Sequence, residues 1–409
     1  MTPRERIVET LNHRKPDQLA IDFGAMRSTG IHAIAYHKLV RHLGLDLEPA
    51  KLSDVFQQLA EPQAELLDRF GGDVVQAHQR CPAFGISIAK GWKPFTLPDG
   101  TPVMAPGGYN PVMEEDGSAY IYCNGVKWAR KPSASLYFDQ IVHPYQGCET
   151  EDDIDRIPVL DLSEEDLDFL EREVKTLHET TNRAILLPFG GNIFEAGQMD
   201  FGYEDFFANL LLEPDLMHYY FNRLCESYLR NLERLLPRVG KYIQVIQFGD
   251  DLGTQQAPQI SRKTYRDMIF PYHSRQYRFV QNNYPDVKVF LHSCGSIEPL
   301  IPDLIDAGVQ VLNPVQLSAK NMDPVHLKKE YGKDLSFWGG GANTSETVTH
   351  GSVHDVRRET RALIEIFEQG GGYVFTQVHN IQPGVPVENI LAIYDTALEH
   401  RRRQTERSK

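Results

Sequence analysis

The chain has 409 residues and a formal net charge of −14, from 42 Lys and Arg against 56 Asp and Glu. This charge disfavours nucleic acid and anionic lipid as partners, and no run approaches the roughly 20 apolar residues that a membrane span needs. The five cysteines are scattered and odd in number, which favours reduced thiols; with a start, MTPRER, that lacks an apolar leader, they predict a cytoplasmic protein.

Short apolar runs recur along the chain, and helix-like stretches separate them. They cover residues 19–24, 73–78, 184–190, 242–250, 287–293, 309–315, 335–340 and 373–379. Near-continuous apolar strands that alternate with helices indicate a parallel sheet covered by helices. Eight such units predict an α/β fold, a closed (β/α)8 TIM barrel, with an open doubly wound sheet as the alternative. We expect residues 1–409 to form one barrel domain.

Residues 85–140, between the second and third predicted strands, have a different composition. They are rich in Gly, Pro and aromatic residues, and Asp99-Gly100, Asp116-Gly117 and Asn124-Gly125 stand where hairpin turns are expected. The segment is therefore predicted to be a β-meander insertion in the N-terminal part of the barrel. Its natural place is over the barrel mouth, as a β-rich lid, because the βα loops gather there.

Catalytic groups of such barrels come from the C-terminal ends of the strands, so the residues that close each run are candidates for the site. They are His78, Asn192, Glu195, Asp250, Asp251, His292, Cys294, Asn313, Trp338, Asn343, His379 and Asn380. We predict Asp250 and Asp251 as catalytic residues, and Glu195, Asn313 and Trp338 as substrate-binding residues. Each aspartate has the alternative of satisfying loop amides, since Asp favours turns, and a structural role is favoured for His78.

His292 and Cys294 stand two positions apart at the end of a predicted strand. Alternate strand residues face the same way, so an imidazole and a thiol can approach one point. Zinc takes these ligands, and a catalytic zinc uses three protein groups and one open position. His379 is the leading third ligand. The alternatives are that the His-x-Cys pair is packing, and that His379 contacts substrate or caps a helix.

Several segments resemble one known family. They are RERIVETLNHRKPDQLAIDFG near the start, FGGNIFEAG at 189–197, GDDLGTQ at 249–255, LHSCG at 291–295 and GGYVFTQVHNIQPGVPVENI at 371–390. Over most of its length the chain resembles the uroporphyrinogen decarboxylase superfamily, and within it the corrinoid-dependent, zinc-containing methyltransferases. The resemblance implies a (β/α)8 barrel and a zinc held by His-x-Cys and a later cysteine.

His292 and Cys294 match the first two of these ligands, but His379 stands where the later cysteine would be. The decarboxylases themselves also tend to carry a histidine there. A site of two histidines and one cysteine has one negative charge fewer than a site with two thiolates, so its zinc should be a stronger Lewis acid.

The resemblance implies transfer of a methyl group between a small methylated substrate or a thiol and a corrinoid such as methylcobalamin. Asp250 or Asp251 would support a histidine ligand or protonate the leaving group, and Glu195 would fill the open zinc position at rest. No corrinoid-binding module is evident in the sequence, so the corrinoid is expected on a partner protein that docks on residues 85–140. A homodimer is expected from the frequency of such assemblies.

Three other functions stay open. A porphyrinogen-type decarboxylase is disfavoured. The resemblance implies that such an enzyme works without a metal and binds the many carboxylates of its substrate through a cluster of N-terminal arginines. Here only Arg27 stands near the end of the first strand, in a chain of negative charge. A zinc hydrolase or lyase would use the same metal to activate water. A binding protein would catalyse nothing.

Overall fold

The structure is a computed structural model that describes residues 1–159 and 161–407. Among the helices of these residues, none is long and apolar enough to span a membrane. The strands are β1 (Ala20–Ile21), β2 (Ile31–His32), β3 (Leu52–Asp54), β4 (Leu59–Ala60), β5 (Val74–Gln76), β6 (Trp92–Thr96), β7 (Pro102–Pro106), β8 (Val112–Met113), β9 (Ala119–Cys123), β10 (Val126–Lys131), β11 (Asp139–Gln140), β12 (Ala184–Gly190), β13 (Val245–Gly249), β14 (Lys288–His292), β15 (Val311–Asn313), β16 (Ser336–Trp338) and β17 (Tyr373–Phe375).

Helices separate and cover the strands. They are α1 (Pro3–Leu11), α2 (Ala33–His42), α3 (Ala64–Arg69), α4 (Glu151–Asp155), α5 (Glu164–Thr180), α6 (Phe194–Phe201), α7 (Tyr203–Leu212), α8 (Pro214–Val239), α9 (Arg262–Thr264), α10 (Phe270–Asn283), α11 (Ile301–Ala307), α12 (Pro324–Tyr331), α13 (Thr347–His350), α14 (Val353–Phe367) and α15 (Val387–Arg407). A π-helical turn, Tyr265–Ile269, joins α9 to α10.

Eight parallel strands form the main sheet, in the order β1-β17-β16-β15-β14-β13-β12-β5. They lie within the eight apolar runs, and the order brings β5 and β1 to the two ends of one curved sheet. Asp73 joins these ends, because its N–H donates to the Ile21 carbonyl at 2.8 Å and its carboxylate accepts the Ile21 N–H at 2.9 Å. The predicted (β/α)8 TIM barrel is confirmed, and the open sheet is excluded.

The segment between β5 and β12 is antiparallel. Strands β6 and β7 form a hairpin, and β8 to β11 form a four-stranded sheet in the order β11-β10-β9-β8. Turns stand at all three positions expected from the sequence. In the turn between β9 and β10, Asn124 and Gly125 have φ of +50° and +81°, the left-handed conformations that a two-residue hairpin turn requires. We call residues 85–140 the lid.

Alternate residues of the barrel strands point inward and form an apolar interior. Val245, Phe290 and Trp338 belong to this cluster, and so do Ile7 and Leu11 of α1. The participation of α1 closes the N-terminal end of the barrel. Polar groups that follow the strands are therefore collected at the opposite, C-terminal end, which is the mouth.

Candidate metal centre

The end of β14 and the loop after β17 bring three candidate ligands together. One ligand atom each from His292, Cys294 and His379 lies within 4.8 Å of the other two. Cys294 Sγ and His292 Nε2 are 3.4 Å apart, and the two imidazole rings have a centroid separation of 5.7 Å. All three side chains are half-buried. The structure therefore brings together the three residues that the sequence predicts as ligands.

The ring of His292 is held in one orientation. Its Nδ1–H donates to Oδ1 of Asn313 at 2.6 Å, and Nδ2 of Asn313 donates to the Trp338 carbonyl at 2.7 Å. The second bond defines which end of the amide is the acceptor, so the first defines the tautomer of His292. Nε2 is left with its lone pair on the side of Cys294, as a metal ligand requires.

The backbone around Cys294 is packed against the loop after β13. The Cys294 N–H donates to Oδ1 of Asp251 at 2.8 Å. Gly295 has a φ of +91°, and a Cβ there would lie 2.4 Å from the carbonyl carbon of Gly253. Only glycine fits such a close approach of two backbones. The close approach of the two backbones therefore explains why glycine follows Cys294, apart from any role in the metal motif.

The electrostatics of the cluster suit a bound cation. Burial raises the pKa of the Cys294 thiol well above its usual value, and the charges of Asp251 and Glu195 add to the rise. Burial, with a contribution from His292, lowers the pKa of His379 to about 4, so this imidazole is neutral near neutral pH. A neutral imidazole is ready to coordinate, and a metal ion reverses the penalty on the thiolate. The donor set fits zinc.

Asp250 lies behind the cluster. Its side chain is 0% exposed, and its carboxylate accepts the backbone N–H groups of residues 193, 194 and 195 at 2.9, 2.9 and 2.7 Å. His273 Nε2 also donates to it at 2.7 Å. Asp250, which follows β13, thus caps the N-terminus of α6. This is the alternative role expected for the aspartates, in which they accept hydrogen bonds from loop amides. No pattern in the sequence indicates His273 as the partner of Asp250.

Asp251 and Glu195 face the mouth. Oδ1 of Asp251 is 3.7 Å from His292 Nε2, and the Asp251 side chain is 35% exposed. Glu195 accepts a hydrogen bond from Asn192 Nδ2 at 2.8 Å. Burial, followed by the charges of Asp251 and Asp250, raises the pKa of Glu195 to about 8. One of the two carboxyl groups beside the cluster therefore carries a proton at neutral pH.

Trp338 and Asn313 support the cluster from within the barrel. Both are 0% exposed. The Trp338 indole N–H donates to Oδ2 of Asp22 at 2.9 Å, and its ring packs edge-on against Phe290. The structure places these two residues where they orient His292, and not on the surface that a substrate would meet.

The remaining strand-end residues contact their own or neighbouring loops. His78 lies between Gln76, at 3.3 Å, and Glu61, at 3.8 Å. Asn343 accepts the N–H of Ser345 at 3.1 Å, and Asn380 Nδ2 donates to Gln57 at 2.6 Å. They lie at the rim of the mouth and orient its loops, which agrees with the structural role favoured for His78.

The fold and the site define a (β/α)8-barrel scaffold with a His2Cys cluster at its mouth. A model of the uroporphyrinogen decarboxylase family matches residues 138–400. The chain belongs to this family, as its motifs predict. Membership of this family supports the conclusion that the protein is an enzyme.

Two similar proteins are the uroporphyrinogen decarboxylases of Thermosynechococcus vestitus and Synechocystis sp. The first is 25% identical over 45% of this chain and 49% of its own length, and the second is 23% identical over 61% of this chain and 68% of its own. The match thus spans about half the length of the first. Among solved structures, a methyltransferase from Methanosarcina mazei has a TM-score of 0.60 and 15% identity, with 98% of this chain and 99% of that chain covered, which shows a shared fold.

Proposed function

We propose that the protein is a zinc-dependent methyltransferase that moves a methyl group between a small methylated substrate or a thiol and a corrinoid on a partner protein. The observation that carries the proposal is the cluster of His292, Cys294 and His379 at the mouth. Bound there, zinc would stabilise negative charge on the sulfur or oxygen atom that exchanges the methyl group. The fold that the chain shares with a methyltransferase from Methanosarcina mazei agrees with the proposal.

The residues around the cluster have separate parts in this function. Asn313 keeps Nε2 of His292 free for the metal. Glu195, whose raised pKa keeps it protonated at neutral pH, donates a proton to the departing heteroatom. Asp251 holds the backbone of Cys294, and Asp250 positions α6 and with it Glu195. In this assignment Asp250 is a positioning residue.

Metal analysis tests the centre. We expect about one zinc per purified chain, lost in Cys294→Ser and strongly reduced in His379→Ala, because three protein ligands are needed. Cys123→Ser, which alters another half-buried thiol in the lid, is the matched control. Native protein without zinc, or a Cys294→Ser variant with a full complement, contradicts the proposal.

Corrinoid absorbance tests the reaction. Zinc-loaded protein, methylcobalamin and ethanethiol should give the spectrum of demethylated cobalamin, and Cys294→Ser should not. A hydrolase or lyase would act without corrinoid, and a binding protein would leave all reactants unchanged. The methyl-transfer proposal fails if the corrinoid spectrum is constant with metal-loaded protein and methylated or thiol partners alike.

The lid offers an exposed apolar surface for the corrinoid carrier. Val112, Met113 and Val126 are 47, 54 and 51% exposed. Met113→Glu and Val126→Glu should slow methyl transfer with carrier-bound corrinoid and leave transfer from free methylcobalamin unchanged. Equal effects on both reactions would mean that the lid has only a structural role.

Decarboxylation of a porphyrinogen is the second candidate, favoured by the names of the relatives. Against it, Arg27 is the arginine that follows β1 in the sequence, and its Nε is already paired with Asp54 at 2.6 Å. A substrate with many carboxylates needs several such groups. Incubation with uroporphyrinogen, followed by oxidation and fluorescence analysis of the porphyrins, should show no loss of carboxyl groups.

A further inference from the structure

The last part of the lid crosses the rim of the mouth with its backbone held on both sides. The carbonyl of Leu136 accepts a hydrogen bond from Gln58 Nε2 at 3.2 Å, and the N–H of Phe138 donates to the Phe56 carbonyl at 3.1 Å. Phe138 is 0% exposed. Tyr137, between these two anchored residues, is therefore held in place before any ligand arrives.

The hydroxyl of Tyr137 is held in turn by the loop that carries His379. Gln382 Nε2 donates to the Tyr137 oxygen at 2.5 Å, and Gln382 is three residues beyond the third candidate ligand. Tyr137 is half-buried. Burial raises the pKa of Tyr137, with a contribution from Cys294, so the phenol keeps its proton at neutral pH.

A phenol has one proton to donate and can accept further hydrogen bonds. Because Gln382 donates to the oxygen, the proton of Tyr137 is available to another acceptor. From this geometry we infer that Tyr137 contacts the substrate and donates a hydrogen bond to its reacting oxygen or sulfur atom beside Cys294. The inference rests on the proposed function and gives the lid a direct part in the site.

The chemistry of this contact defines a class of ligand. A heteroatom that gains negative charge, such as the sulfur of a bound thiolate or the oxygen released from a methyl ether, is a strong acceptor for a phenol. An uncharged thioether is a weak one. Tyr137 would therefore favour the demethylated form of the substrate over the methylated form.

Cobalt-substituted protein provides the test, with ethanethiol as the probe. A thiolate bound to Co²⁺ gives a charge-transfer absorption band, and a hydrogen bond to the sulfur moves this band to higher energy because it stabilises the sulfur electrons. Tyr137→Phe should bind ethanethiol about tenfold more weakly, the usual effect of one hydrogen bond to a charged atom, and its band should move to lower energy. Gln382→Met should shift the band in the same direction.

Tyr122→Phe is the matched control, because it removes a hydroxyl from an exposed lid tyrosine. It should match native protein in affinity and band position. Cobalt content should be equal in all variants. If cobalt and ethanethiol bind but Tyr137→Phe equals the control in both readouts, this inference is overturned while the proposed function stands. Failure of native protein to bind cobalt, or ethanethiol on cobalt, overturns both.

Discussion

His292 is oriented by the protein before any metal binds. The two hydrogen bonds, from His292 to Asn313 and from Asn313 to the Trp338 carbonyl, join three neighbouring strands, and both Asn313 and Trp338 are fully buried. An imidazole fixed in this way loses little conformational entropy on coordination. In the proposed zinc centre, the affinity for metal would therefore depend also on residues that do not touch the metal.

Substitution of Asn313 should separate this support from coordination itself. Asn313→Leu removes the acceptor of Nδ1–H, and zinc affinity should fall by roughly 10- to 100-fold, the usual range for a lost partner of a ligand histidine. Competition with a chelator measures the change. Asn283→Leu, at an exposed amide near the end of α10, should keep native affinity. Unaltered affinity in Asn313→Leu would mean that the tautomer of His292 is set by the metal alone.

His32, whose backbone N–H donates to the Ile381 carbonyl at 2.9 Å, makes the stability of the protein depend on pH. Its Nδ1 accepts the Ile34 N–H at 3.2 Å, its Nε2 is buried without a partner among the described residues, and burial lowers its pKa to about 4. In the unfolded chain the pKa is near 6.5. The unfolded state therefore gains a proton that the folded state refuses, and stability falls as pH falls from about 6.5 through about 4.

Replacement of His32 should reduce this dependence. Urea unfolding should show that native protein loses up to about 3 kcal/mol more than His32→Asn between pH 7 and pH 4, because folding lowers the pKa of His32 from about 6.5 to about 4. Asn keeps an acceptor for the Ile34 N–H. His42→Asn, at an exposed position of α2, should retain the native slope. Identical slopes in all three proteins would contradict this account.

Helix α6 depends on a residue that follows strand β13. No side chain of its own N-cap, Ile193, accepts a hydrogen bond, and Asp250 at the end of β13 supplies the missing acceptor. The carboxylate also lies at the positive end of the helix dipole. The barrel and the helix that carries Glu195 are thus joined through one buried group.

Asp250→Ala should destabilise the protein strongly and leave the metal ligands intact. Three backbone donors and His273 lose their acceptor, and a loss of about 3 kcal/mol or more in the free energy of unfolding is expected from denaturant titration. Zinc content should stay near native, since none of the ligands lies on α6. Asp267→Ala, at an exposed carboxylate on the π-helical turn, is the control and should change stability little. A variant as stable as this control would exclude the capping role.

The strands could be predicted because their signal is local. Each barrel strand is a short apolar run, and the runs extend beyond the strands because the polar residues at their ends leave the sheet for the mouth, as 376–379 do after β17. His292 and Cys294 share one strand end, so their pairing was also predictable. The partners of Asp250, residues 193–195 and His273, are distant in sequence, and no local pattern indicates them. The same holds for Tyr137, whose position depends on lid contacts.

A buried cluster of charged side chains joins the two ends of the barrel sheet. Asp73 joins the two ends of the sheet, and its carboxylate is paired with Arg6 at 2.5 Å and with Arg401 of α15. All three side chains are at most 8% exposed. The first helix, the sheet ends and the last helix therefore meet at one buried ion cluster.

Asp73→Ala should leave Arg401 without a carboxylate partner and Arg6 with only the more exposed Asp17, and a loss of about 3–5 kcal/mol in the free energy of unfolding is expected. Asp68→Ala is the matched control, because its carboxylate pairs with Arg183 but is 75% exposed, so it should cost about 1 kcal/mol or less. Chemical denaturation of both variants measures the difference. Equal losses of stability in the two variants would mean that the backbone hydrogen bond from Asp73 to Ile21 alone closes the barrel.

The positions of His292, Cys294 and His379 along the chain determine how a bound ion would affect local unfolding at the mouth. Strands β15 and β16 stand between β14 and β17 in the sheet, so an ion held by all three residues ties two non-adjacent strand ends across the mouth. The chain from Cys294 to His379 then becomes a closed ring. Amide hydrogens just after β17 should exchange with deuterium more slowly in zinc-loaded protein than in zinc-free protein. Those of the distant α5 should exchange at the same rate in both.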